Sequence, residues 1–306
     1  MILDGGLATE LEQRGYDVSS SLWSARLLKT APDAIEQLHY DYYSAGARCA
    51  ISASYQASYE GFAALGLSAD ETTVLLRLSV ELAQSARARW HRDHADDRRK
   101  LYVAASVGPY GAILHDGSEY RGDYGLSVKE LIEFHSRRFE VLATSGADFL
   151  ACETLPVLDE ARALAVLLAR FPDALAWMSF TSPDGIQTSH GESLTECARI
   201  LDRVPNVIAV GVNCVKPEIV GAAIGALKAG TSKAIRIAMI AMTTRSSTSV
   251  NALRKQLRRD GQHRIGRPSV SKDAGKVTRP PSSVGSHHSA YSRRSKSQSL
   301  LLTCRG

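Results

Sequence analysis

Two carboxylates and one thiol are placed where chemistry could be done. Asp4 stands in Leu3-Asp4-Gly5-Gly6, Glu153 in Ala151-Cys152-Glu153-Thr154-Leu155-Pro156, and Cys214 in Gly211-Val212-Asn213-Cys214-Val215-Lys216-Pro217. Each closes a short apolar run. Asp4 could cap the helix that follows it, and the glycines beside it would let backbone approach a ligand closely. Glu153 ends a strongly apolar stretch, where an unpaired buried charge is costly, so it calls for an internal ion-pair partner or a ligand. Neither motif contains a Lys or Arg, and two carboxylates on one face suit the ammonium group of a ligand. Cys214 could be a metal thiolate, a nucleophile or a small buried hydrophobe, the usual fate of free cysteine. Cys49 and Cys152 lie inside apolar runs and Cys197 in a helix-like stretch from Leu194 to Leu201, so these three read as packing residues. His39, His91, His94, His115, His135 and His190 have no tight ligand spacing, and His287-His288 is a pair in a Ser-rich tract.

The elements that must hold these residues are short, nearly continuous apolar runs alternating with helical patterns. The runs are Ile2-Leu3, Cys49 to Ser54, Leu101 to Val107, Asp148 to Cys152, Leu175 to Phe180 and Val207 to Val212. Such runs read as parallel strands buried on both faces. Helical spacing is predicted from Pro32 to Gly46, from Ser68 to Trp90 with a Ser68/Glu71 capping box, from Ser127 to Ser145 and from Leu158 to Arg170. Strand and helix alternate six times, which predicts an α/β fold of the TIM (β/α)8 barrel type with strands 1 to 6 recognisable. A doubly wound sheet is the competing fold, but Asp4-Gly5-Gly6 does not continue into its Gly-x-Gly-x-x-Gly signature. Asp4, Ser54, Tyr55, Ser106, Gly108, Glu153, Ser179 and Cys214 all fall at or just after the end of a run, the face on which barrels keep their chemistry.

The chain has 306 residues, 44% hydrophobic and 23% charged, as in a globular protein. No window reaches the roughly 18 apolar residues of a membrane span, and the start lacks a signal-peptide pattern. A cytoplasmic protein without a membrane partner is the expectation. Five cysteines at irregular intervals argue against a disulfide framework. The net charge of +5 hides two unlike pieces. Residues 236–306 carry 15 basic and 2 acidic side chains, a net of +13, while residues 1–235 carry 22 and 30, a net of −8.

Five motifs in order resemble the homocysteine S-methyltransferase family. They are Leu3 to Leu11 with Trp23-Ser24-Ala25 following, Ser52 to Ser58, Ser106 to Gly111, Cys152-Glu153-Thr154 and Gly211 to Cys214. The resemblance covers residues 1 to about 235, a homocysteine-binding barrel domain, and is greatest to the branch using S-methylmethionine rather than betaine. It implies a TIM barrel with zinc on three cysteines, methyl transfer from S-methylmethionine to the zinc-activated thiol of homocysteine, and methionine as product. It also implies Cys214 as one zinc ligand, Asp4 and Glu153 as contacts to the homocysteine amino group, and Gly5, Ser54, Tyr55 and Asn213 as parts of the same pocket.

The resemblance breaks at the charge boundary. The family's other two zinc ligands are adjacent cysteines in a Gly-Gly-Cys-Cys motif, and this sequence has no adjacent cysteines. After Ile235 the chain becomes a basic Ser/Arg-rich tail with one aromatic residue, Tyr291. The tail reads as an out-of-frame replacement of strands 7 and 8. On this reading the barrel is incomplete, the zinc site lacks two ligands and activity is doubtful. The alternative is a non-catalytic protein whose tail binds nucleic acid or anionic surfaces. With one aromatic for stacking, a nucleic-acid partner is not expected.

Overall fold

A computed structural model of the chain describes residues 1–17 and 24–231. Five of the apolar runs form strands: β1 Cys49–Ile51, β2 Tyr102–Val107, β3 Phe149–Leu155, β4 Ala176–Phe180 and β5 Val207–Val212. They make one sheet in the order β1-β2-β3-β4-β5, every neighbour parallel. Strict chain order without a switch point is that of a barrel wall and excludes the doubly wound alternative. The run Ile2-Leu3 adds one parallel bridge, Leu3 to Cys49, beside β1 rather than a full strand. Strands 7 and 8, and the tail from residue 236, lie outside the described residues.

The helices are α1 Leu7–Gln13, α2 Ser24–Thr30, α3 Pro32–Ser44, α4 Tyr59–Ala64, α5 Ala69–Asp93, α6 Val128–Ala143, α7 Leu158–Leu168, α8 Leu194–Leu201 and α9 Val220–Ala229. Pro32 opens α3, where its missing N–H is no loss. The Ser68/Glu71 box caps α5 as its spacing predicts, and Ser127 with Glu130 caps α6 in the same way. The helical repeat of Val74, Leu75, Leu78, Leu82 and Ala86 predicts one apolar side for α5; Leu75, Leu82 and Ala86 are buried and Leu78 half-buried, whereas Val74 is 62% exposed because it falls outside the buried stripe.

Two apolar layers result. Met178, Phe180, Cys152, Val210 and Val212 point outward and pack against the helices. Cys49, Ile51, Ala104, Ala151, Trp177 and Ala209 point inward and form a separate cluster with Leu3, Tyr102 and Phe149. Side chains alternate faces along a strand, so the residues two places further on, Ser106, Glu153, Ser179 and Gly211, form the next inward layer toward the carboxyl ends. Strand β1 stops at Ile51, short of the predicted Ser54. The hydroxyls of Ser52 and Ser54 bond the backbone of Ser106 at its N–H (3.0 Å) and C=O (2.7 Å), which ends the ladder with side chains.

Candidate active site

Asp4 does not cap a helix. Helix α1 begins after Gly6 and has no side-chain cap. Asp4 Oδ2 instead accepts from the Ile51 N–H at 2.8 Å, and Oδ1 is buried without a partner. His39 Nδ1 lies 3.8 Å from Oδ2, but burial lowers the His39 pKa to about 4, so this contact is not an ion pair at neutral pH. Burial, helped by the charge of Glu153, holds the Asp4 carboxyl well above its ordinary pKa. The close approach made possible by Gly5 is to the Tyr42 ring: a Cβ there would sit 2.9 Å from the Tyr42 hydroxyl oxygen.

Glu153 is 3% exposed and has no cationic partner among the described residues. Its Oε1 accepts a hydrogen bond from Ser106 Oγ, while Oε2 is buried and unpartnered. Burial pushes its pKa up to about 7, and the Ser106 hydrogen bond opposes that rise. Of the two expected partners, an internal ion pair is not formed with any of the described residues.

Strand β3 runs past its predicted end at Cys152 to Leu155, and a bulge between Cys152 and Leu155 shifts its register on β4. Thr154, in this bulge, has φ +64°, and Cys214 at the end of β5 has φ +53°. Left-handed backbone at a β-branched residue costs on the order of 1–3 kcal/mol and persists only where surroundings impose it. Asn213 imposes it here: its Oδ1 accepts from the Thr154 N–H and its Nδ2 donates to Thr154 Oγ1, both at 2.8 Å. The Asn213 side chain thus ties the two strand ends together, and Thr154 Oγ1 lies 3.8 Å from Cys214 Sγ. Ser54 is likewise committed to the scaffold through Ser52 and Ser106.

Around Cys214 stand Thr154 and Asn213, whose Nδ2 lies 3.6 Å from the sulfur. Burial and the charge of Glu153 push the thiol pKa up to about 11. Burial holds the Tyr55 hydroxyl well above its ordinary pKa. The turn after β2 packs directly onto Tyr55: a Cβ on Gly108 would sit 2.7 Å from Tyr55 Cδ2, so only glycine fits.

A buried network that no sequence motif marks holds this turn in place. Arg138 of α6 donates to the Gly108 carbonyl. Glu160 of α7 accepts from the Tyr110 N–H (2.6 Å), His135 Nε2 (2.8 Å) and the Tyr124 hydroxyl (3.2 Å). Burial lowers the pKa of His135, so it donates as a neutral imidazole. A separate cavity of about 260 Å³, lined by Leu142, Phe149, Arg170 and Phe171, lies at the amino ends of β3 and β4, away from these residues.

A family model described as homocysteine S-methyltransferase matches residues 1–266. Homocysteine S-methyltransferase YbgG of Bacillus subtilis is 49% identical over 237 residues, covering 77% of this chain and 75% of that protein. The homocysteine S-methyltransferase of Escherichia coli is 50% identical over 218 residues, 71% of this chain and 70% of that one. A selenocysteine Se-methyltransferase of Brassica oleracea is 45% identical over 249 residues, 77% and 71% of the two chains. The crystal structure of the Escherichia coli homocysteine methyltransferase MmuM in its metallated form superposes with a TM-score of 0.77 at 43% identity, over 84% of this chain and 96% of that one. With a barrel-type sheet, two buried carboxylates and a thiol at its carboxyl ends, and these matches, the chain belongs to the homocysteine S-methyltransferase family.

Proposed function

We propose that the carboxyl-end face of the sheet binds homocysteine by its ammonium group between Asp4 and Glu153, with the sulfur toward Cys214 and Tyr55. S-methylmethionine is the proposed methyl donor. The observation that carries this reading is the pair of oxygens Asp4 Oδ1 and Glu153 Oε2, buried without a partner among the described residues, none of which bonds a cationic side chain to either carboxyl. An ammonium would satisfy both, and its charge would offset the burial, and the smaller repulsion from Glu153, that raise the Asp4 pKa. The selenocysteine-using relative shares with the others an amino-acid acceptor, so the same cradle would serve either chalcogen.

In the transfer, the acceptor sulfur attacks the methyl carbon of the sulfonium. A new C–S bond forms as the old one breaks, the donor leaves as neutral methionine, and the thiol proton passes to solvent. A free thiol of pKa about 8.5 is only about 3% thiolate at pH 7, which is the deficit a bound zinc would remove. The donor set does not fit a three-thiolate zinc. Among the described residues no group of three or more His, Cys, Asp or Glu could hold a metal, and Cys49, Cys152 and Cys197 are buried in β1, β3 and α8. Cys304, His287 and His288 lie outside the described residues, and the whole sequence has no adjacent cysteine pair. No step is therefore derived through the metal. We read the chain as retaining the amino-acid cradle while having one of the three thiolates, with transfer slow or absent, and residues 236–306 as an out-of-frame replacement of the sequence that would encode strands 7 and 8. The family matches favour this reading over a nucleic-acid-binding protein.

Affinity for L-homocysteine is expected to fall as pH drops below about 7, because an ammonium needs the ionised form of Glu153. Binding near pH 6.5 should release a proton, detectable by calorimetry in buffers of different ionisation enthalpy. The ligand-free chain shows the opposite trend. The folded pKa of about 7 exceeds the ordinary 4.3 or so, so stability contributed by this group is present below about pH 4.3 and lost as pH rises through 7. An affinity that stays flat from pH 5.5 to 8 would count against the reading.

A further inference from the structure

The inward layer containing Glu153 also holds a hydroxyl without a function. Ser179 of β4 is fully buried, and its Oγ has no hydrogen-bond partner. Alternation fixes where it faces: Trp177, two residues earlier, belongs to the inner cluster, while Met178 and Phe180 belong to the outer one. The pairing of β3 with β4 runs from Cys152 opposite Met178 to Leu155 opposite Phe180, with the bulge between them. Ser179 therefore stands opposite the Glu153-Thr154 bulge. On its other side it pairs with Gly211 of β5, which carries no side chain. The neighbouring layer position on β2 is Ser106, whose hydroxyl is already committed to Glu153 Oε1. Along this layer Ser106 and one carboxylate oxygen satisfy each other, and Glu153 Oε2 and Ser179 Oγ on adjacent strands are left over.

A buried hydroxyl without a partner costs on the order of 1–3 kcal/mol. An apolar alanine would be the cheaper residue if the position were only structural. Glu153 Oε2, Asp4 Oδ1 and Ser179 Oγ are three buried oxygens without a partner among the described residues, each toward the carboxyl end of its strand or run, and a primary ammonium has three N–H donors. We propose that Ser179 is a binding residue of this site, accepting the third N–H of the substrate's ammonium group and so selecting α-amino acids over des-amino acids. The assignment rests on the amino-acid reading above.

The test compares L-homocysteine with 4-mercaptobutanoate, the same molecule without its amino group, by calorimetry on the full-length chain. Wild type is expected to prefer L-homocysteine. Ser179→Ala is expected to weaken L-homocysteine by about tenfold and leave 4-mercaptobutanoate unchanged. Should that variant fail to fold, Ser179→Cys keeps the volume with a poorer acceptor and should show the same selective loss. If wild type discriminates and the variant discriminates as strongly, or loses both ligands equally, the Ser179 assignment is overturned. If wild type binds the two compounds equally, the ammonium reading itself falls and takes Ser179 with it.

Discussion

Replacing Glu153 by glutamine is expected to weaken L-homocysteine binding by about 100-fold while stabilising the ligand-free chain above pH 7. The two effects have one cause. Glu153 is buried, and among the described residues the Ser106 hydroxyl is its one bonded partner and its second oxygen has none. In the empty site the carboxylate is a desolvated charge, which is why its pKa rises to about 7. A glutamine side chain would keep the Ser106 hydrogen bond through its amide oxygen and remove that charge. In the liganded site the carboxylate is the counter-ion, and hydrogen bonds to charged groups are worth roughly 1.5–3 kcal/mol, which reaches about 100-fold. Calorimetric titration and thermal melts at pH 8 check both halves. A Glu153→Gln chain that binds as tightly as wild type, or melts lower, would remove Glu153 from the ammonium site.

Glu160→Ala is expected to lower folding stability by about 3–5 kcal/mol, the usual cost of breaking a buried charged network by deleting one partner. Glu160 accepts three hydrogen bonds, from the backbone of Tyr110, from His135 and from Tyr124, and its charge favours the protonated state of buried Arg138. Deleting it leaves three donors without that acceptor and removes the largest of the charges that offset the burial of Arg138, leaving the smaller contribution of Glu60. Burial already draws the Arg138 pKa down to about 10, so the cation there has little margin. The damage should extend to the site, because Arg138 and Glu160 fix Gly108 and Tyr110, and Gly108 is packed on Tyr55. Urea denaturation gives the stability. A loss below about 1 kcal/mol would show that water or rearrangement satisfies these donors.

These two residues are not equally legible in the sequence. Glu153 stands out because it is a charge at the end of an apolar run, and period-two burial puts the end of a parallel strand on the functional face. The same signal marks Asp4 and Cys214. Glu160 carries no such signal: it follows Leu158-Asp159 in the first turn of α7, where acidic residues are common for dipole reasons. His135 and Arg138 share one turn of an ordinary amphipathic helix. Their burial is decided by the turn after β2 folding over the ends of α6 and α7, a tertiary fact with no local pattern. The bulge at Thr154 is hidden for a similar reason, since a threonine gives no sign of a positive φ. Asn213, 59 residues away in the chain, fixes it. The sequence places Ser179 at a strand end, but its lack of a partner becomes visible only once Ser106 is seen to be taken.

The proposed site keeps its amino-acid cradle and has Cys214 as the one thiolate left of its metal-binding end. Zinc content and methionine formation from S-methylmethionine, measured on the same purified full-length chain with homocysteine binding verified, test this most directly. The expected result is homocysteine binding with far less than one zinc per chain and no chelator-sensitive transfer. One zinc per chain, with transfer abolished by chelator and restored by zinc, would contradict it.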